Sequence, residues 1–469
     1  MAPPRPPSVK MSSMGYLCLA ALPVSSLLGL AQKFPATAAI APALSIVGAV
    51  WTGPGMALLL IRALRWPADR FSSVLGRLAL DQVLSDRRRS TGCLRGFLVG
   101  LVMVVILSAV NSSFRDAVTQ RFRRSARPDL NVSANGKLSS LQLQPVSEGL
   151  KSELETVPGV RGAYGQRVVR VPLLGKAGEP PQLISLRALD EVPVEQFAKP
   201  YAYLDVVDRP VEEAGRDLYH SETLTVLASE SFEAVFKLRS GDRIELGSPS
   251  GPVQAKIVGI VSDFIAGGGS VYMDRLAYRR IWKDPLVTGF GLLVATGSDP
   301  LQVKGEIDRR FGKSHGLMVT SDAELKIEME QAVDSSFVYM KAIQIVVLSV
   351  ALLGFLNSLL VSVGSRFKEI GTIRALGMSR SELTTTILLE AAALGTSASL
   401  VAIALGGAIA WYFVREDLGP GFGWVVGFHV DAVSGLLTLG GGLTVAILAG
   451  LLPARWAAAL PIREALRSE

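Results

Sequence analysis

The stretch SRFKEIGTIRALGMSRSELTTTILLE, Ser365 to Glu390, decides the fold. It follows a largely apolar run, Ala342 to Gly364, long enough at about 1.5 Å per helical residue to cross a bilayer core of about 30 Å. The stretch is therefore the first polar segment met on leaving the membrane. Phe367, Ile370, Ile373 and Leu376 recur at helical spacing as a narrow apolar stripe, surrounded by Arg366, Lys368 and Arg374. Gly377 is placed to end that helix as a C-terminal cap. Ser379 and Glu382 spell an S-x-x-E capping box that starts the next helix, which runs back into apolar sequence. The pattern predicts a short amphipathic helix slung between two membrane spans. A basic loop that merely anchors the chain at the lipid surface is the simpler alternative. An anchor requires neither Gly377 nor the capping box.

The run Arg366-Phe-Lys-Glu-Ile-Gly-Thr-Ile-Arg-Ala-Leu-Gly377, with Glu390 thirteen residues further on, resembles the signature of the FtsX-like permease subunits of ABC transporters, of the MacB and LolC type. Pro453-Ala-Arg-Trp-Ala-Ala-Ala-Leu-Pro-Ile-Arg-Glu-Ala-Leu466 resembles the closing segment of the same family, and Thr372 and Met378 stand at positions that vary in it. The resemblance implies a non-catalytic membrane subunit without a cofactor. In it Arg366, Phe367, Lys368, Glu369, Ile370, Gly371, Ile373, Arg374, Leu376 and Gly377 couple to a separate ABC ATPase subunit by lying in a groove on it. It further implies mechanotransmission: ATP-driven closure moves an outer domain that handles lipoproteins, peptides, drugs or lipids. A second permease copy or half and the membrane lipid are the remaining implied partners.

Composition agrees with a membrane protein that carries one sizeable polar domain. Of 469 residues, 49% are hydrophobic and 19% charged, too apolar for a wholly soluble chain and too long for one ordinary domain. Phe114 to Ser335 holds 28 Lys/Arg against 30 Asp/Glu, whereas the remainder holds 20 against 11. The positive excess thus lies at the membrane, which argues against a nucleic-acid partner, since such a domain is itself basic. Cys18 and Cys93 both fall in or beside apolar runs, so no disulfide framework, CxxC redox pair or cysteine zinc site can be built.

Six apolar runs are read as spans: Met14 to Ala31, Ala36 to Ile61, Thr91 to Val110, Ala342 to Gly364, Ile387 to Val414 and Val430 to Leu452. The first could be a signal peptide. The second follows it after only Gln32 to Pro35, so a tight membrane hairpin explains both, with Pro23, Pro42 and Pro54 as kinks that packed neighbours accommodate. Arg87, Arg88 and Arg89 carry a plain topological meaning, and Arg95 lies close enough to the span end to snorkel. Lys and Arg number 17 over Met1 to Ser13, Arg62 to Arg95, Gly364 to Thr386 and Ala454 to Glu469. The short segments on the other side, Gln32 to Pro35 and Arg415 to His429, hold only Lys33 and Arg415. The charge rule then places both termini and the hinge in the cytoplasm and 114–335 outside, and the resemblance implies a multi-pass protein of the bacterial inner (plasma) membrane.

The expected organisation is a hairpin over 1–65, a basic cytoplasmic segment and third span over 66–113, an outer domain with its stalk over 114–335, and a three-span permease domain over 336–469. The fold class is an α-helical membrane protein of about six transmembrane helices with an inserted α+β extracytoplasmic domain. In that domain Asp129 to Ser133, Arg167 to Leu173, Thr223 to Leu227, Arg243 to Leu246, Val253 to Val261, Ser270 to Met273 and Gly289 to Ala295 read as strands. Ser147 to Val157, Arg275 to Trp282 and Leu301 to Phe311 read as helices. Val157-Pro-Gly-Val160, Leu238-Arg-Ser-Gly-Asp242 and Val258-Gly-Ile-Val-Ser-Asp263 resemble the periplasmic core domain of MacB-like permeases. Asp322 to Asp334 predicts a polar stalk helix feeding directly into the span near Ala342. Gly395, Ser399, Gly406, Gly407 and Gly440 to Gly442 permit close helix contact, and Trp411, Tyr412 and Trp424 mark the outer interface.

Little else carries chemistry. Gly312-Lys313-Ser314 lacks the earlier glycine of a phosphate loop, because that position is Ile307. Gly267 to Gly269 precedes a strand and reads as a hairpin turn rather than a phosphate cradle. His220, His315 and His429 are too scattered for a metal site, and no nucleophile and base pair up. Glu390 is the one acid within a span, and pairing with Arg366 or Lys368, or capping, suits it better than a proton relay. One span, an outer domain and three spans occur once, preceded by an extra hairpin. Larger members of the resembled family carry two such units, so the chain reads as linker hairpin plus second half-unit, either a natural half or a shortened frame. Two other functions compete: an FtsX-type membrane regulator that activates a cell-wall hydrolase, and a membrane enzyme acting on lipid or peptide.

Overall fold

Apolar runs without turn residues fold here as long helices, and alternating runs between Gly/Pro turns fold as strands. The computed structural model describes residues 9–28, 36–71, 74–124, 128–134, 144–175, 180–192, 201, 203–262, 269–312, 316–418, 426–429 and 432–459. They divide into a helical unit, Met1–Asp116 with Ser335–Asp417 and Val426–Glu469, and a sheet unit, Ala117–Asp334 with Leu418–Val425. The expected loop at 32–35, Gly267, Gly268, Lys313, Ser314, His315, Trp424 and the closing motif beyond Ala459 lie outside the described residues.

The chain opens with α1 (Val9–Leu27), α2 (Ala36–Phe71), α3 (Val74–Ser85) and α4 (Arg87–Arg124). Pro23, Pro42 and Pro54 sit inside continuous helices. Among the described residues, five helices are long and apolar enough to cross a membrane: Ile40–Ala63, Arg87–Thr119, Asp322–Gly364, Arg380–Glu416 and Gly435–Ala459. The first expected span falls on α1, whose apolar part among the described residues is Ser13–Leu27. The segment read as plain basic connection contains a helix of its own. In α3, Leu75, Leu78, Ala79, Gln82 and Val83 recur at helical spacing, and Ala79 and Val83 are fully buried.

The sheet unit comprises β1 (Leu130–Ala134), α5 (Leu150–Glu155), β2 (Val160–Leu174), β3 (Gln182–Leu189), α6 (Val211–His220), β4 (Thr225–Ser229), α7 (Glu230–Phe236), β5 (Arg243–Ser248), β6 (Gly251–Val261), β7 (Ser270–Asp274), α8 (Arg275–Trp282), β8 (Gly289–Val294), α9 (Pro300–Ile307) and β9 (Leu317–Ser321). Strand order is β3-β7-β4-β6-β5-β2-β8-β1-β9, and a further β2–β3 pairing closes six of the strands into a ring. The 15-residue β2 serves both halves. Its first part pairs with β8, its later part with β3 from Gln166↔Leu189 to Leu173↔Gln182. The ring encloses Leu186, Val226, Ile257, Met273 and Trp282, while α5 and α9 cover Leu130, Phe290 and Val319 of the open part.

Two strands and two helices were not read from the sequence, β3, β9, α6 and α7. The helix expected over 301–311 ends at Ile307 and passes into a π turn, Asp308–Gly312. The hairpin expected at Gly267 to Gly269 does not form a hairpin. β6 and β7 are separated by β4, and Gly269, at φ +73°, enters a strand that runs parallel to β3.

The chain closes with α10 (Asp322–Gly364), α11 (Phe367–Ala375), α12 (Arg380–Phe413) and α13 (Ala432–Ala459). The expected stalk and span are thus one helix of 43 residues. α12 and α13 approach along small residues: a Cβ on Gly395 would overlap Ala446, and one on Gly442 would overlap Ser399. Phe97 of α4 stacks on Phe355 of α10 at 4.4 Å between ring centres. Tyr412 does not mark a lipid interface. It is buried in the helical unit, its hydroxyl 2.6 Å from Ser25 Oγ, whereas Trp411 is exposed beneath Arg415. Arg95 stands over the Trp51 ring, 5.2 Å from its centre.

Candidate coupling site

The hinge starts at Arg366, the N-terminal cap position of α11, and stops by a complete Schellman motif. Gly377 N–H donates to Arg374 O at 3.1 Å, and Met378 N–H donates to Ile373 O at 3.3 Å. Gly377 holds φ +114°, where a side chain is strained although a Cβ would meet nothing within 4 Å. Two residues on, Ser379 Oγ accepts from Glu382 N–H at 3.2 Å and Glu382 Oε2 accepts from Ser379 N–H at 2.8 Å, a reciprocal capping box.

The apolar stripe splits in two. Ile370 and Gly371 are buried, and Ile370 packs with Val363, Leu383, Ile387, Ala454 and Ala457, flanked by Phe367 and Met378. Phe367 also meets Trp456 edge to face at 4.8 Å. The start of the closing motif on α13 therefore forms the seat of the hinge helix, its alanines small enough for close approach. Ile373 and Arg374 are half-buried, whereas Lys368, Glu369, Thr372 and Leu376 are open and Leu376 is 85% exposed. The burial of Ile370 comes from neighbouring segments of its own chain: four positions spaced three apart drift around a helix, and α12 and α13 reach only the inner ones.

Glu390, buried on α12, joins two arginines. Arg89 Nη2 lies 2.6 Å from Glu390 Oε1 and Arg366 Nη1 lies 3.6 Å from Glu390 Oε2. Arg366 also donates to Glu369 Oε2 at 2.9 Å, while Lys368 is exposed to solvent. The plain topological reading of Arg89 is thus corrected. Asp86 caps α4 by accepting from Arg89 N–H at 3.2 Å, and Ser90 Oγ donates to Val83 O of α3 at 2.8 Å, which fixes where Arg89 points. A cavity of about 20 Å³, enough for about one water, opens beside these groups among Gln82, Arg366, Ile370, Thr386 and Glu390. The sequence offered Arg366 as a partner of Glu390, and the structure pairs them; for Arg89 its only signal was an acid inside a span.

Elsewhere, His220 faces Glu191 at 3.0 Å and His429 faces Asp116 at 3.4 Å. No cluster of three metal-ligating side chains occurs among the described residues.

Long apolar helices enclosing an inserted sheet unit in sequence define a helical membrane protein with an inserted α+β domain. Residues 342–462 match the family model described as FtsX-like permease C-terminal, so the part of the chain that holds the hinge is an FtsX-like permease domain. An uncharacterized ABC transporter permease protein of Mycobacterium tuberculosis is 25% identical over 452 residues, 95% of this chain and 50% of the relative. The macrolide export ATP-binding/permease protein MacB of Agrobacterium fabrum is 23% identical over 416 residues, 86% of this chain and 61% of the relative. The chain thus spans about half the length of the first relative and three-fifths of the second. Among solved structures, the periplasmic region of MacB from Actinobacillus actinomycetemcomitans aligns at 11% identity and a TM-score of 0.32, covering 45% of this chain and 96% of that one.

Proposed function

We propose that the chain is a permease subunit of an ABC transporter that works with an ATPase carried on a separate chain. The two-sidedness of α11 carries the reading. Its inner face is seated on α12 and α13, its C-terminal end is fixed by the Schellman motif and followed at once by the capping box that starts α12, and its outer face offers Lys368, Glu369, Thr372 and Leu376. A large apolar side chain left open on a short pinned helix suits the helix-in-groove mode of recognition. Because Arg366 ties the start of α11 to Glu390 of α12 and, through it, to Arg89 of α4, displacement of the hinge would be felt by three helices together.

In this reading the hinge and termini are cytoplasmic, supported by the 17-to-2 distribution of basic residues, and 117–334 is extracytoplasmic in a bacterial inner membrane. The absence of a phosphate-loop sequence in the 469 residues supports placing ATP hydrolysis elsewhere. Movement of the outer domain would act on lipoproteins, peptides, drugs or lipids by mechanotransmission, and a second permease copy or half completes the assembly.

The test is co-purification of the ATPase with variants of the full chain. Leu376→Asp is expected to cut ATPase retention at least about tenfold, because a desolvated apolar anchor is worth about 2 kcal/mol and a buried carboxylate costs more. Ile370→Asp is no docking probe, since it breaks the seat of the helix itself. Undiminished retention by folded Leu376→Asp would remove α11 as the docking element.

A further inference from the structure

The three consecutive arginines at the start of α4 part company. Arg89 turns inward to Glu390, whereas Arg87 and Arg88 are exposed and meet no carboxylate among the described residues. One face of α4 continues from there as Arg88, Gly92, Arg95 and Gly96, all exposed, while Ser90, Cys93, Leu94 and Phe97 on the opposite face are buried. Arg88 and Arg95 therefore stand on the same side of the helix, two turns and about 10 Å apart along its axis. A Cβ on Gly92 or on Gly96 would meet nothing within 4 Å, so the surface between and beyond the two arginines is bare backbone.

Arg95 lies inside the span Arg87–Thr119, four residues past Thr91, where the apolar run begins. Its guanidinium stands 5.2 Å from the centre of the Trp51 ring on α2, and Trp51 is itself 37% exposed. A cation–π contact engages the flat face of a guanidinium and leaves its N–H edge free to donate. Arg415 stands over Trp411 in the same way at 5.4 Å, and there Glu416 supplies the acceptor at 3.6 Å. Arg95 has no such carboxylate among the described residues. The helix N-terminus does not explain the pattern, because Asp86 already accepts from Arg89 N–H at 3.2 Å. An arginine one turn inside a span reaches back toward the headgroup layer, where phosphate oxygens accept what hydrocarbon cannot. Any span touches lipid. Two unpaired guanidiniums on one bare face select that lipid by its charge.

We infer that Arg88, Gly92, Arg95 and Trp51 form a headgroup site for an anionic phospholipid, its phosphate held by the two arginines and its chains lying along Gly92 and Gly96. Occupancy steadies the start of α4, and with it the arginine that meets Glu390 beside the hinge. The inference rests on the permease reading only in taking α4 as a membrane span. It needs no ATPase, so its failure is separable from failure of the docking proposal.

The experiment uses the full chain in bilayers of phosphatidylglycerol mixed with phosphatidylcholine, with bromine on the acyl chains of one or the other. The Trp51 signal is the fluorescence lost in Trp51→Phe. Brominated phosphatidylglycerol is expected to quench that signal more than brominated phosphatidylcholine at the same content. Arg88→Gln and Arg95→Gln are each expected to cut the preference about fivefold, and Arg415→Gln to leave it unchanged. Inorganic phosphate, at an ionic strength matched with chloride, is expected to leave it in place. The comparison of the two headgroups needs no arginine variant, so it decides even where Arg95→Gln misfolds. Equal quenching by both headgroups, meaning bulk lipid only, overturns the inference. So does a preference that persists when Arg88→Gln and Arg95→Gln are combined, or one that inorganic phosphate removes, which makes the site one for the free anion.

Discussion

The helical unit sets one buried carboxylate between two arginines, and the sheet unit sets one buried arginine between two carboxylates. Glu390 meets Arg89 and Arg366; Arg275, 1% exposed, meets Glu148 at 3.3 Å and Asp190 at 3.4 Å. What holds each cluster differs. Asp190 also accepts from Gly165 N–H at 2.8 Å and Lys151, and Arg275 donates to Pro285 O at 3.2 Å, so backbone groups of β2 and of a loop brace that corner. Among the described residues Glu390 is bonded by side chains alone, contributed by α4 and by the turn before α11, with a water-sized cavity beside them. A backbone-braced cluster fixes one geometry. A cluster of side chains from separate helices can regroup when the helices shift, which suits a hinge.

The largest effect is expected from Arg275→Ala. It removes the buried guanidinium between Glu148 and Asp190 and leaves each with only its more exposed cation, Arg279 at 3.0 Å and Lys151 at 3.4 Å, a loss of about 3 kcal/mol, the low end for a broken buried pair. Protease resistance and thermal melting of the full chain should report a destabilised sheet unit, and a near-neutral result would break the contrast. Glu390→Ala comes next, at about 2 kcal/mol, because the adjacent cavity lets water reach the two arginines. Glu390→Gln sharpens the comparison: it keeps the shape, and insertion should survive while transport by a reconstituted complex falls about tenfold or more. If Glu390→Gln transports normally, the cluster is structural bracing only.

Gly377→Val is smaller still. The new side chain has open space, so only the backbone strain counts, about 1–2 kcal/mol in a left-handed region. The protein should insert while ATP hydrolysis uncouples from transport in reconstituted vesicles; wild-type coupling would detach the cap from the mechanism.

The smallest effect is a pH dependence in the sheet unit. Burial raises the Asp284 carboxyl, but Leu286 N–H, the Tyr278 hydroxyl at 2.9 Å and Arg167 Nε at 2.8 Å outweigh it, and the net position is below the ordinary aspartate value. Burial and the bond to Asp284 push the Tyr278 hydroxyl up to about 12. A folded-state value below the unfolded one gives stabilisation that is complete above the unfolded value of about 3.9 and lost as pH falls through the folded one. Melting of the wild-type sheet unit should therefore drop more steeply below about pH 4 than that of Asp284→Asn. Parallel curves would show that the bonds to Asp284 contribute nothing.

The sequence by itself determined what depends on neighbours a few residues apart. The apolar runs, the cap at Gly377 and the S-x-x-E box at Ser379 are readable because helix rise, a positive φ and N–H satisfaction are local matters. β3 was missed although its burial alternates, because half of its pairing is with β7, some eighty residues later. Only the tertiary structure decided that β2 and β3 close a ring, that α3 is a helix seated by Ala79 and Val83, and that Ile370 turns inward while Leu376 stays out. It alone joined Arg89 to Glu390 across 301 positions. Any of three consecutive arginines satisfies the same local charge pattern, and which one reaches the acid is fixed by the packing of α4 against the rest of the helical unit.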